Sequence, residues 1–385
     1  MCEIDCSAAP IRVVSVAHSA ILASGARRRY LRLLDAGDID LRLVVPRRWR
    51  EFGRELEAAP AHEAGLKLHA MPIVLPSAGP MGWYLHFYPG LGGLLRRTKP
   101  HVLHLWEEPW SFVALQGALL KGDAALVLEV DQNILKALPP PFESIRRFVL
   151  KRCAYVLARS VDAGEVVRAC GYAGPIGFIG YGVDATYFRP RAAPPAPLPG
   201  GGLRIGYVGR LIEEKGLDDA VDALAKTNPP ARLDFMGEGP HEERLKARIR
   251  GLGLEERVSF RRWGTPYEVA AFLQSLDASL LLTRTTPHVK EQFGRVIIES
   301  QGCGVPVVGS TCGAIPDILG AGGWIVPERA PEALARLLDS LARDRAQLAE
   351  KSAAALRNIA QRFDNEALAQ ALREVYVAAA RASRA

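Results

Sequence analysis

Long apolar runs are missing from this 385-residue chain. No stretch reaches the roughly 18 to 20 uninterrupted apolar residues that a membrane-spanning helix needs, so such a helix is excluded. The first residues, "MCEIDCSAAPIRVVSVAH", carry neither the basic segment nor the apolar segment of a secretory signal. Cysteine is scarce: six residues (Cys2, Cys6, Cys153, Cys170, Cys303 and Cys312), with no spacing of a metal site and no density of a disulfide scaffold. Both features are expected of a cytoplasmic protein in a reducing compartment. Blocks of one charge sign are also missing. The net charge is +7 and the pI near 9.1, but 49 basic and 42 acidic residues are interspersed. That pattern argues against nucleic acid and leaves an anionic small substrate or a membrane face as the partner of the excess positive charge. Walker, Gly-x-Ser-x-Gly and zinc patterns do not occur.

What is present reads as a globular α/β protein. Hydrophobic residues make up 49% and charged residues 24% of the chain, and the length suits two domains of roughly 200 residues each. "IRVVSV" (11–16), "LRLVVP", "HVLHLW", "AALVLEV" and "YVLAR" are short apolar runs separated by helix-compatible segments, the alternation of parallel strands with covering helices. "RPRAAPPAPLPGGG" (189–202) is proline and glycine punctuation and reads as a linker. The alternation then restarts with "LRIGYVG", "LDDAVDALAK" and "ARLDFMG", and runs to an Ala-rich helical tail. The boundaries expected are 1–188 and 203–363 for two Rossmann-like domains facing across a cleft, with 364–385 as a helix returning to the first domain. Ligands in such sheets bind at the carboxyl ends of the strands.

The stretch "EQFGRVIIESQGCGVPVVGS" (291–310) places an acid on each side of a helix start. "ASLLLT" ends a strand near Thr283, and Gly294 begins the helix, whose free N–H groups and positive dipole end make an anion site suited to phosphate. Glu299 lies five residues past Gly294, about 7.5 Å at ~1.5 Å per residue. A nucleotide sugar presents sugar, diphosphate and ribose in that order, so Glu291 would hold sugar hydroxyls, the helix start the diphosphate, and Glu299 the ribose.

These residues resemble a known family. "EQFGRVIIESQGCGVPVVGSTCGAIPDIL" looks like the Glu-x7-Glu motif of the retaining group 1 glycosyltransferases, which have the GT-B fold. "YVGRLIEEKGLDDAVDAL" (207–224) is similar to the family's Gly-Arg-x4-Lys-Gly loop, "FMGEGP" (235–240) to its glycine-rich turn, "GYGVDATYFRP" (180–190) to its Gly-Val-Asp segment, and "GGWIVP" (322–327) to the strand after the motif. The resemblance implies that Arg210 and Lys215, after Gly209, bind the donor diphosphate, and that Glu291 contacts the transferred sugar. It also implies that Phe293, Gly294 and Arg295 line the donor, that Glu299 takes the ribose, and that Glu238, Gly239 and Arg261 lie near the nucleoside. The bare chemistry agrees for the two cations, which follow a strand-ending glycine and can neutralise a leaving group.

The first domain departs from the family pattern. Its first loop reads "AHSAILASGARRRY", with Ser24 and Gly25 in place of a glycine pair, and the later strand reads "LVLEVDQNI", with Asp131 where the family carries a histidine. Asp131 is therefore the sugar-contacting candidate, with Glu129, Gln132 and Asn133 beside it. Glu107 and Glu108 of "HLWEEPWS", together with His18 and Arg27 to Arg29, are candidates for the acceptor side, whereas His104 reads as strand packing. "DID" (38–40) looks like the Asp-x-Asp metal signature of another transferase fold, but it precedes a strand instead of ending one. No metal is expected. The basic residues of "SIRRFVLKRCAYVLAR" interleave with apolar ones, a pattern suited to peripheral contact with an anionic membrane. By this resemblance the first domain binds the acceptor and the second a nucleotide-diphosphate sugar. The activity implied is retaining, metal-independent transfer of a hexose to a hydroxyl of a glycan, glycolipid or small molecule, without a cofactor. The rival readings are a GT-B enzyme of another reaction type, such as an epimerase, and a non-catalytic sugar-nucleotide-binding subunit.

Overall fold

The computed structural model describes residues 9–23, 25–51, 54–60, 65–75, 82–228 and 230–382. They divide into two compact units, Met1–Gly182 with Asn365–Ala385, and Val183–Asp364.

Unit 1 is built on a sheet of seven strands: β1 (Ile11–Val16), β2 (Ile39–Pro46), β5 (Lys67–Met71), β6 (Val102–Trp106), β7 (Ala125–Val130), β8 (Cys153–Ala158) and β9 (Ile176–Phe178). The order is β5-β2-β1-β6-β7-β8-β9, with every pair parallel. A short antiparallel hairpin, β3 (Arg48–Glu51) and β4 (Arg54–Glu57), stands beside it. Strands β6 and β7 are buried along their whole length because apolar layers cover both faces. One layer packs on Val14, Leu103, Leu105 and Leu126. The other packs on Val13, Leu43 and Val127 and includes Leu368, Leu372 and Tyr376 of the C-terminal helix Asn365–Ala382. The Tyr376 hydroxyl sits 2.8 Å from Nδ1 of buried His104, so this helix is a covering element of unit 1.

Unit 2 holds six parallel strands, β10 (Arg204–Val208), β11 (Arg232–Met236), β12 (Val258–Arg261), β13 (Ala278–Leu281), β14 (Val307–Ser310) and β15 (Gly323–Val326), in the order β12-β11-β10-β13-β14-β15. The proline-rich stretch after 188 belongs to this unit. Arg191 N–H donates to the Cys303 carbonyl at 3.2 Å, its guanidinium reaches the Leu276 carbonyl, and Gln274 donates to the Arg189 carbonyl at 2.8 Å. The compact division falls after Gly182, not after 188, and these bonds hold the start of the proline-rich stretch on unit 2.

Both sheets share one topology. The chain leaves the first strand in one direction and later returns to its other side, so strand order reverses between β1 and β6 in unit 1 and between β10 and β13 in unit 2. Side chains at the carboxyl ends of these four strands lie where ligands bind in doubly wound sheets.

Candidate active site

In unit 2 the carboxyl ends of β10 and β13 bring Lys215, Thr283 and Glu291 together. Gly216 makes this approach feasible: its φ is +66°, and a Cβ there would lie 2.2 Å from the Leu282 carbonyl oxygen. Lys215 Nζ donates to Glu291 Oε2 at 2.6 Å and lies 3.4 Å from Thr283 Oγ1, which itself donates to the same Glu291 oxygen at 2.8 Å. Thr283 is fully buried, whereas Lys215 and Glu291 are partly buried. Arg210 is exposed, and its carbonyl accepts the hydroxyl proton of buried Tyr207 at 2.9 Å, which fixes the backbone below the guanidinium. Burial, then the nearby Glu291, pushes the Tyr207 hydroxyl well above its ordinary range, so it stays a donor. Gly209, Glu238 and Gly239 form the neighbouring turns. Gly209 N–H donates to the Met236 carbonyl and Leu211 N–H to the Glu238 carbonyl, each at 3.0 Å. The Glu238 side chain is exposed and pairs with Arg262 at 3.1 Å. Arg261 ends β12 exposed, next to the exposed Trp263.

The helix Arg295–Gly302 starts at Gly294, whose φ is +80° and whose Cβ, were it present, would lie 2.6 Å from Leu281 Cδ2. The Phe293 ring is core, packed edge-on against Phe363 at 5.7 Å. Arg295 is exposed and Glu299 is half-buried one turn on. Burial raises the Glu299 carboxyl above its ordinary value, and Arg295 offsets part of that.

In unit 1, His18 follows β1 and Glu107 follows β6. His18 Nδ1 lies 2.9 Å from Glu107 Oε1, and His86 Nε2 lies 3.6 Å from the same oxygen. Burial alone would raise the Glu107 carboxyl, but His18 and His86 hold it down at about 2. Glu108 is engaged differently: its Oε1 accepts the backbone N–H groups of Asp131 and Gln132, each at 2.8 Å. Burial, then the Asp131 charge, pushes its carboxyl up to about 8. Asp131 is held by three donors, Arg159 Nε at 2.8 Å, the Tyr181 hydroxyl at 2.7 Å and Trp106 Nε1 at 3.1 Å. Beneath it, buried Glu129 is paired with Arg29 at 2.7 Å and with Arg159, which hold its carboxyl well below the usual range.

The arginines after β1 require a correction. Arg27 is fully buried and donates to the carbonyls of Ala20 (3.0 Å), Ile21 (2.7 Å) and Ala59 (3.0 Å), and Arg29 is consumed by Glu129. Both brace the fold, Arg27 by satisfying three carbonyls and Arg29 by pairing with a buried acid. Gly25 opens the short turn Gly25–Arg27, and Ser24 lies outside the described residues. The "DID" acids are ion-paired, Asp38 with Arg373 at 2.6 Å and Asp40 with Lys67 at 2.6 Å. In the basic helix Phe142–Leu150, Arg146 is buried against Glu143, so the exposed cations are Arg147, Lys151 and Arg152. Among the described residues no helix is long and apolar enough to cross a membrane. Sequence reasoning had given no role to Thr283, His86 or Trp49. Thr283 was visible only as a strand end, and the other two carry no spacing signal.

Comparisons with known proteins find matches for both units. Residues 189–363 match the family model of glycosyl transferases group 1, and residues 28–187 match that of glycosyltransferase family 4. WcaL of Salmonella typhimurium, named as a colanic acid biosynthesis glycosyltransferase, is 33% identical over 194 residues, 49% of this chain and 47% of that protein. Glycogen synthase of Mycobacterium tuberculosis is 32% identical over 213 residues, 53% of this chain and 48% of that protein. The chain thus spans about half the length of the curated relatives it matches. Among solved structures, sucrose-phosphate synthase of Thermosynechococcus elongatus has a TM-score of 0.69 at 16% identity, covering 97% of this chain and 100% of that one. HepE of Anabaena, solved with UDP and glucose, has a TM-score of 0.63 at 17% identity, covering 96% and 100%. The fold is GT-B, two Rossmann-like α/β units in one chain.

Proposed function

We propose that this GT-B chain, a group 1 glycosyltransferase by its family matches, transfers a hexose from a nucleotide-diphosphate sugar to an acceptor hydroxyl with retention at the anomeric carbon. The observation that carries the reading is the Lys215–Thr283–Glu291 cluster, set at the switch point of the unit 2 sheet beside the helix that starts at Gly294. In this reading the bond between the anomeric carbon and the diphosphate oxygen breaks. The acceptor oxygen bonds to the same face of that carbon, and its proton passes to the departing phosphate. Arg210, Lys215 and the helix N-terminus, worth about half a charge, take up the charge that grows on the diphosphate. Lys215 is well placed for this because Glu291 and Thr283 already fix its ammonium. Glu291 orients sugar hydroxyls, Glu299 the ribose, and Arg261 with Trp263 the base. The acceptor is a glycan, a glycolipid or a small molecule, and Arg147, Lys151 and Arg152 would favour an anionic membrane surface carrying it.

A screen of UDP-, GDP- and ADP-sugars by thermal unfolding identifies the donor, because a ligand of the folded state raises stability by RT ln(1 + [L]/Kd). The identified donor is then incubated with candidate acceptors, and product configuration is read by NMR. The expected outcome is an α-linked product from an α-linked donor, with donor affinity unchanged by EDTA. An inverted product would overturn retention, and an EDTA-sensitive donor affinity would overturn the assignment of the diphosphate to Arg210 and Lys215.

A further inference from the structure

His18, His86 and Glu107 come from three segments separated by long stretches of sequence: the turn after β1, the segment paired through Phe87 with Val74, and the turn after β6. Their ligand atoms nevertheless lie within 4.8 Å of one another. We propose that these three side chains bind a divalent transition-metal ion, zinc by their donor set, in unit 1.

Two imidazole nitrogens and one carboxylate oxygen form the donor set of open zinc sites, in which three protein ligands leave a fourth position for water or substrate. Magnesium and calcium prefer oxygen ligands and are disfavoured by two histidines. The size of the triangle fits. Ligands about 2.0–2.1 Å from one ion stand roughly 3 to 4 Å apart, and the two recorded separations from Glu107 Oε1 are 2.9 Å and 3.6 Å. The third side, between the two imidazoles, is bounded at 4.8 Å, so metal entry asks for side-chain adjustment. Glu107 sits with its side chain only 3% exposed, where a carboxylate needs concentrated positive charge.

Aromatic side chains pack on both rings. The Trp49 ring stacks on His18 at 4.7 Å and meets His86 edge-on at 4.9 Å, and Tyr88 closes the far side of His86 at 5.7 Å. Such neighbours fix ring orientation and exclude competing water. His86 is wholly buried, whereas the His18 side chain keeps 18% of its surface exposed, which gives an ion a way in. The site lies at the carboxyl ends of β1 and β6, where the strand order of unit 1 reverses. An ion held there by three ligands offers its fourth position to an acceptor hydroxyl or phosphate oxygen. The countercharges assigned to the donor diphosphate belong to unit 2.

The test uses the untagged full chain, stripped of metal by a chelator and dialysed. Zinc is titrated by calorimetry, and cobalt by its visible d–d absorption. The expected result is one zinc per chain with a Kd of roughly 1 μM or tighter, intense four-coordinate cobalt bands, quenching of tryptophan emission by cobalt, and a zinc-dependent rise in Tm. His18→Ala, at the partly exposed ligand, should weaken zinc binding by about 100-fold or more and abolish the Tm rise. Glu107→Gln should weaken it similarly and change the cobalt spectrum. If the wild-type chain takes up no stoichiometric zinc, or if His18→Ala binds it with wild-type affinity, the proposal is overturned. Because His86 is buried and its replacement risks unfolding, the decision rests on His18→Ala and on the wild-type cobalt spectrum.

Discussion

At the residue scale, the unit 2 cluster is an arrangement of charges in which each member sets the next. Glu291 receives two donors on one oxygen, which holds Lys215 at a defined point. Glu291→Gln keeps the shape and removes the charge. It should lower kcat by about 10²-fold or more, the scale of a single preorganised electrostatic group. A circular dichroism spectrum like that of wild type would show the fold intact, and an undiminished kcat would refute the role. Glu299 supports a prediction of a different kind. Its carboxyl is raised above the usual 4.5 by burial, so between that value and its own the native state binds more protons than the unfolded state. Stability therefore falls as pH rises through this window. Glu299→Gln cannot ionise and escapes the loss. Its Tm should match wild type in acid, exceed it increasingly as pH climbs from 4.5 through the raised value and then hold a constant lead, while donor affinity falls. Equal Tm profiles across pH would show that burial does not strain this group.

At the element scale, two helices carry most of the argument. The helix Arg295–Gly302 depends on Gly294, which holds a left-handed conformation with no room for a Cβ beside Leu281. Gly294→Ala should destabilise the chain by roughly 1–2 kcal/mol from the backbone alone, with a further loss from repacking. Thermal unfolding would register this as a lowered Tm, and donor affinity should fall with it because the helix start moves. The helix Asn365–Ala382 covers unit 1 through Leu368, Leu372 and Tyr376. Leu372 is fully buried, and Leu372→Ala should remove about 2–5 kcal/mol, as other buried leucine truncations do. A Tm indistinguishable from wild type would mean the helix is dispensable for unit 1. The basic helix Phe142–Leu150 shows the limit of reading charge from spacing. Arg146 was counted with the solvent-facing cations, yet it is buried against Glu143 and reaches the Lys136 carbonyl at 3.2 Å.

At the scale of the whole molecule, the two units repeat one topology with different chemistry at the switch point. Unit 2 presents cations and a helix start, unit 1 a carboxylate between two imidazoles. The alternation of apolar runs with helical segments made both sheets legible in advance, because buried parallel strands must be apolar throughout and their crossovers must be long. Lys215, Glu291 and Gly294 were legible too, since a cation, an acid and a glycine at motif spacing serve a local loop-to-helix geometry that sequence encodes directly. The reversal of strand order between β1 and β6 and between β10 and β13 was not, because it depends on which side of a strand the chain returns to. That choice decided that His18 meets Glu107 and His86, 89 and 68 residues away and in no motif spacing, whereas Arg27 turns inward to three carbonyls. Sequence by itself determined the elements and the loops at the strand ends of unit 2, whose physics is local. Tertiary structure alone decided which charges are spent on the fold and which are gathered at a strand end, because burial and long-range pairing exist only once the sheets have closed.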